Sequence, residues 1–184
     1  MPARTSPGFA PPATRFWRRD MRHHVSRVLT YTPDQLFRLV GDVAAYPDFV
    51  PWITSMRVDD ATQVADGVSR LRADATVGFS FLKERFGTAV LRDAHQRKIT
   101  VDLISGPFRR LHNEWRFEPH PQGCEVVFDI DFEFKAKLLD MLLKANFGIA
   151  VDRLIACFEA RARALYSAPA LEAVAASPAA PTAG

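Results

Sequence analysis

The side chains of this 184-residue chain that could do chemistry are five histidines, two cysteines and scattered carboxylates, and their spacing argues against covalent catalysis. His23 and His24 are adjacent, so on a strand they point to opposite sides and cannot easily share a metal. His95, His112 and His120 fall in or beside turns or on the polar side of a strand. Cys124 and Cys157 make no CxxC or other ligand spacing and read as small buried apolar residues in a reducing compartment. No GxSxG, P-loop, GxGxxG or HExxH occurs. Asp129, Asp131 and Glu133 form an acidic row, but they alternate outward from an apolar row, which reads as a solvated sheet face. Paired catalytic carboxylates would have to line a cavity instead. The expectation is a protein with no catalytic residue, no metal and no cofactor.

What remains is apolar surface and one polar exception. Asn113 falls on an inward row between Leu111 and Trp115, where it is either a bulge, a satisfied backbone contact or a ligand contact. Trp52 and Trp115 are core residues or partners for a ligand oxygen, since a buried indole N–H seeks an acceptor. Phe79-Ser80-Phe81-Leu82, followed by Lys83, crowds apolar residues where hairpin turns prefer Gly, Asn and Asp. Such a tip suits membrane contact, a gate over a cavity, or plain packing. Trp115, Phe128 and Phe132 share an inward row and are the expected lining of an apolar tunnel. Phe108, Phe117 and Ile130 on the sheet, with Leu142, Val151 and Ile155 on the last helix, extend that candidate lining.

The elements that must position these residues can be read from periodicity. Alternation over His24–Leu29 predicts a strand. Thr32, Pro33 and Gln35 form a helix start with a capping box, and Leu36, Phe37, Leu39, Val40 and Val43 give that helix its apolar face. Pro47 and Pro51 make the next segment a turn or an irregular helix. From Ile53 to Lys135 the period is two, most cleanly where Cys124, Val126, Phe128, Ile130, Phe132 and Phe134 alternate with polar residues. Asp66-Gly67, Asp93 to Gln96, Gly106-Pro107 and Pro119 to Gly123 are the turns. A helix over about Ala136 to Tyr166 closes the pattern, and Gly148 in its middle predicts a kink or a close approach.

The ends differ from this middle. Residues 1–20 lack apolar period and a signal-peptide core, and residues 167–184 are mainly Ala and Pro, so both read as disordered tails around a 21–166 domain. Met21 is a candidate translation start, and Phe16-Trp17-Arg18-Arg19 a candidate membrane or partner contact. The net charge of +3 resides in the first twenty residues, so the folded part is neutral and no direct DNA binding is expected. No apolar run approaches the ~20 residues of a membrane-spanning helix.

The fold class that follows is α+β: a curved antiparallel sheet of about six or seven strands around a long C-terminal helix, with short helices after the first strand. The words Gln35-Leu36-Phe37-Arg38-Leu39-Val40, Tyr46-Pro47-Asp48-Phe49-Val50-Pro51-Trp52, Gly106-Pro107-Phe108, Trp115-Arg116-Phe117, Asp131-Phe132-Glu133-Phe134-Lys135 and Phe158-Glu159-Ala160-Arg161-Ala162 carry a family resemblance in their joint order. Over residues 22–166 the chain resembles the coenzyme Q-binding family of START-related (polyketide cyclase/dehydrase-like, helix-grip) proteins. Asn113 departs from the Gly expected there. The resemblance implies a helix-grip (START/Bet v 1-like) fold whose tunnel binds ubiquinone or a related isoprenoid lipid. It implies a quinone chaperone supporting respiratory electron transfer, in the cytoplasm or peripheral on the inner face of the cytoplasmic membrane, with transient membrane or respiratory-chain contact. Two rivals share the fold. A ribosome-associated interaction module would show a clustered basic face. A polyketide cyclase or aromatase would place polar side chains along the inner face, where Asn113 is nearly alone.

Overall fold

Thr32 opens the first helix as its sequence demands. Its side chain accepts a bond from the Gln35 backbone at 3.2 Å, and the Gln35 side chain returns one to the Thr32 backbone at 2.9 Å, with Pro33 at the first helical position. The computed structural model in which this is seen describes residues 21–79, 82–137 and 147–166. The expected tails (1–20 and 167–184), Ser80 and Phe81, and residues 138–146 with Leu138, Leu142 and Ala145 lie outside the described residues.

In chain order the elements are β1 (Met21–Leu29), α1 (Pro33–Gly41), a 3-10 helix (Val43–Asp48), β2 (Ile53–Ala65), β3 (Val68–Phe79), β4 (Leu82–Asp93), β5 (Lys98–Ser105), β6 (Phe108–His120), β7 (Gly123–Phe134) and α2 (Phe147–Leu165). The strands form one seven-stranded antiparallel sheet in the order β1-β7-β6-β5-β4-β3-β2. Six strands follow one another as hairpins, while β1 pairs beside β7 at the far edge. The chain between β1 and β2 must therefore travel from one edge to the other. It does so through α1 and the 3-10 helix, whose apolar side chains join the core. The segment around Pro47 resolves as that 3-10 helix, compatible with a residue that has no backbone donor.

Most of the core is one cluster, built from α1 (Leu36, Leu39, Val40), the sheet (Val25, Leu71, Val90, Ile99, Trp115, Phe117, Phe128) and α2 (Val151, Ile155, Phe158, Ala162). Gly123 makes the last hairpin possible: its φ is +134°, and a Cβ there would stand 2.3 Å from the Leu29 carbonyl oxygen. Arg92 reaches across the sheet to donate to the carbonyl of Gly41 at 3.1 Å, where cationic charge suits the end of a helix. Tyr166 donates to the Gln35 carbonyl at 3.1 Å, tying the end of α2 to the start of α1. Gly148 sits in the first turn of α2 as described, and a Cβ there would meet only His23 at 3.8 Å. Among the described residues no close approach meets this glycine, its nearest neighbour being an ordinary van der Waals distance away.

Candidate functional site

The concave face of the sheet is apolar by construction. In register across β5, β6, β7 and β1 stand Ile99, Trp115, Phe128 and Val25, and beside them Val101, Asn113, Ile130 and His23. Trp115 and Phe128 rings lie 4.1 Å apart, and Phe158 from α2 packs on Trp115 at 5.4 Å. Tyr46 and Phe49 from the 3-10 helix close on Phe158 at 5.1 and 5.2 Å, with the Arg161 guanidinium over the Phe49 ring. The Tyr46 hydroxyl donates to the Val40 carbonyl at 2.6 Å, and burial first, then the Asp42 charge, pushes its phenol far above the ordinary value. It is locked as a donor and has no acid–base role near neutral pH. Burial likewise pushes Cys124 up to about 12 and raises Cys157, so neither is a ready thiolate. Among the described residues no group of three metal-ligating side chains occurs, and no helix is long and apolar enough to cross a membrane.

The candidate lining residues divide between two neighbouring apolar clusters. Trp115, Phe117, Phe128, Val151 and Ile155 belong to the main core. Phe132 and the half-buried Phe108 join Leu111, Phe134, Phe86, Leu103 and Phe147 in a second cluster, and Ile130 touches both. Trp52 is half-buried before β2, and its carbonyl accepts from the Gly78 N–H at 2.8 Å. Phe79 and Leu82 pair at the end of the β3–β4 hairpin, but their side chains, with Phe81 and Leu142, lie outside the described residues.

Asn113 stands where these clusters meet, opposite Val101 and Ile130. Its Oδ1 is buried without a hydrogen-bond partner. An unpaired buried amide costs about 1–3 kcal/mol, so this atom is poised to accept a partner from a bound molecule. The bulge expected as one explanation is absent, since Asn113 keeps regular register on both sides.

The void beneath α2 is small. It is bounded by Val25, Leu36, Leu39, Val40, Trp115, Phe117, Val126, Ile155 and Phe158 and measures about 20 Å³. A water needs roughly 10–15 Å³ by the same measure, whereas sites for small organic ligands span about 300–1,000 Å³. Among the described residues the elongated tunnel expected from the sheet's curl is filled by aromatic rings. Of the expected lining, Trp115, Phe117 and Ile155 border this void. Leu36, Leu39, Val40 and Phe158 border it as well; their apolar stripes were legible, but which strand they covered was not.

The convex face is ionic. On β5, β6, β7 and β1 its carboxylates are matched: Glu114 by Lys98 and Arg116, Asp129 by Arg116 and His24, Asp131 by Arg110 and Arg22, Glu133 by Arg109 and Arg110. Burial alone would raise Glu114 and Asp129, but hydrogen bonds from Lys98 and Arg116, and from His24 and Arg116, outweigh it and hold both below the usual carboxylate range. The β2–β4 end of the same face is different. There Arg57, Arg72 and Arg85 border an open groove of about 420 Å³ in which Asp74 is the lone carboxylate.

Residues 29–159 match the family described as polyketide cyclase / dehydrase and lipid transport. The chain belongs to that family. Among curated relatives, the ribosome association toxin RatA of Rickettsia prowazekii is 32% identical over 141 residues, covering 75% of this chain and 93% of the relative. The mitochondrial coenzyme Q-binding protein COQ10 homolog B of Xenopus laevis is 32% identical over 147 residues, covering 77% of this chain and 57% of the relative. Of solved structures, the 18 kDa protein CC1736 of Caulobacter crescentus is 57% identical with a TM-score of 0.68, covering 78% of this chain and 97% of that one. A START superfamily protein of Mycobacterium smegmatis shares the fold at 20% identity and a TM-score of 0.67, covering 79% and 99%. The helix-grip fold expected from the sequence is thus the fold of this chain.

Proposed function

We propose that this chain binds ubiquinone or a related isoprenoid lipid between its sheet and α2, and acts as a carrier for that lipid rather than as an enzyme. The observation that carries the reading is a concave face that is mainly apolar among the described residues, with an unpartnered amide oxygen, Asn113 Oδ1, where its two clusters meet. An isoprenoid tail gains about 25 cal/mol per Å² buried without any reactive group, and the hydroxyl of a reduced, quinol head group can donate to Asn113 Oδ1. A small void does not contradict this, because α2 is a cover that can lift. Among the described residues its polar ties to the sheet and α1 are the Tyr166–Gln35 hydrogen bond and the exposed Arg27–Asp152 pair at 3.5 Å. Apolar contacts re-form around a ligand more readily than a hydrogen-bonded ladder does. The similarity to a coenzyme Q-binding relative supports quinone as the ligand, and loading would take place at the inner face of a membrane.

A second reading, association with the ribosome, is favoured by the names of the RatA relatives and by the basic end of the convex face. A cyclase is disfavoured by an inner face whose described residues bring no carboxylate beside Asn113 and His23. The test is native mass spectrometry with organic extraction of protein purified from a membrane-containing lysate. Co-purified quinone, absent from a Phe128→Arg variant that still folds, is the expected result. An empty protein that also fails to take up added quinone overturns the carrier reading.

A further inference from the structure

The groove on the convex face has a composition that the lipid-carrier reading does not use. Four strands build it in register: Arg57 on β2 faces Asp74 on β3, Asp74 faces Gly87 on β4, and Gly87 faces Ser105 on β5. Arg85 stands opposite Thr76 one row away. Three guanidiniums therefore converge on a space lined by the hydroxyls of Ser55, Thr76 and Ser105, with Phe86 and Ala75 also at its wall. Arg72 is committed to Asp74 through two hydrogen bonds, at 2.9 and 3.1 Å, and Arg57 holds Asp59 at 2.7 Å. Arg85 is exposed and, among the described residues, has no carboxylate partner.

The position of Gly87 keeps the groove open. A Cβ there would come within 2.6 Å of Asp74 Oδ1 and 3.0 Å of Ser105 Oγ, so any side chain would fill the floor. On the β5–β1 side of the convex face Glu114, Asp129, Asp131 and Glu133 are each held by cations, whereas in the groove Arg85 has no carboxylate partner among the described residues. Guanidinium groups fork onto phosphate oxygens, and hydroxyls donate to them. A slot with cations along its walls fits a strand passing through it better than a flat bilayer surface does.

We infer that this groove binds the sugar–phosphate backbone of single-stranded RNA, with Arg85 and Arg57 as the principal phosphate contacts. The choice of RNA rests on the ribosome-association reading, while the phosphate site rests on the groove itself.

The test uses the full chain and a fluorescein-labelled twelve-nucleotide oligouridylate, followed by anisotropy at 50 and 200 mM salt. The wild type should bind, and more weakly at the higher salt. Arg57→Ser combined with Arg85→Ser should weaken binding at least about tenfold at low salt and flatten the salt slope by about 1.4, the share of two single-strand phosphates. Gly87→Val, which fills the floor without altering net charge, should weaken binding too in protein shown by circular dichroism to remain folded. Unchanged RNA binding in both variants overturns the proposal, as does a wild type that binds phosphatidylglycerol vesicles but no RNA. Co-sedimentation with ribosomal subunits separates the two levels. Subunit binding that survives both variants sinks the groove and leaves the reading, whereas groove-dependent oligonucleotide binding without subunit binding upholds the groove and sinks the reading.

Discussion

Along β7, Cys124, Val126, Phe128, Phe132 and Phe134 are buried on one face of the sheet, while Glu125, Asp129, Asp131 and Glu133 occupy the other. The same seven strands thus present a concave face held by area and a convex face held by charge. The two are not equivalent in strength or in plasticity. Fully burying one large apolar side chain contributes roughly 1.5–3 kcal/mol, whereas an exposed ion pair contributes about 0–1 kcal/mol. Apolar packing is also non-directional, so the concave face can reorganise around a guest. The convex network depends on distances such as the 2.7 Å between His24 and Asp129 and is fixed by strand register. Stability and ligand capture therefore reside on one face, and rigid electrostatic display on the other.

Truncation gives the largest expected contrast. Phe128→Ala removes a ring that is 2% exposed and stacked on Trp115, and should cost about 3–5 kcal/mol in denaturant unfolding. A loss below about 1 kcal/mol would show that the concave face is loosely packed. Asn113→Leu should act in the opposite sense. Removing an orphaned buried amide relieves about 1–3 kcal/mol of desolvation, so the variant should be at least as stable as the wild type yet hold the reduced, quinol form less well. Lower stability with unchanged quinol binding would mean that Asn113 serves the fold alone.

The smallest effects belong to the convex face. Arg116→Ala, which removes one partner each from Glu114 and Asp129, should cost no more than about 1 kcal/mol. The pH dependence follows from the same groups. The Arg72 hydrogen bond lowers Asp74, and cationic partners outweigh burial at Glu114 and Asp129, so all three bind protons less readily folded than unfolded. Their contribution is present above the unfolded pKa values near 4 and is lost as pH falls through the lower folded values. Urea midpoints should fall as the pH drops below about 4, with a shallower fall in Arg116→Ala. A midpoint insensitive to that substitution would remove the network from the account.

How much of this was legible in the sequence depended on range. The capping box at Thr32, the turns at Gly67 and Gly106, the outward row at Asp129 and the anomaly at Asn113 are encoded within a few residues, and periodicity reveals them. The convergence of Arg57, Arg72 and Arg85 is not, because it arises from the pairing of β2, β3 and β4, and a one-residue slip would send alternate side chains to the other face. Nor is the bond from Arg92 to the Gly41 carbonyl at the end of α1, which spans 51 positions. The narrowness of the void was also out of reach, since it depends on how Phe158, Trp115 and Leu39 interdigitate.

The central claim is that the apolar face opens to admit a quinone beside Trp115. It is tested most directly by titrating ubiquinone into a Trp17→Phe/Trp52→Phe variant, in which Trp115 is the remaining indole. Saturable quenching of its emission near one equivalent is the predicted result, with Asn113→Leu weakening binding of the reduced, quinol form. Quinone that binds while Trp115 emission stays unchanged would place the ligand elsewhere and contradict the account.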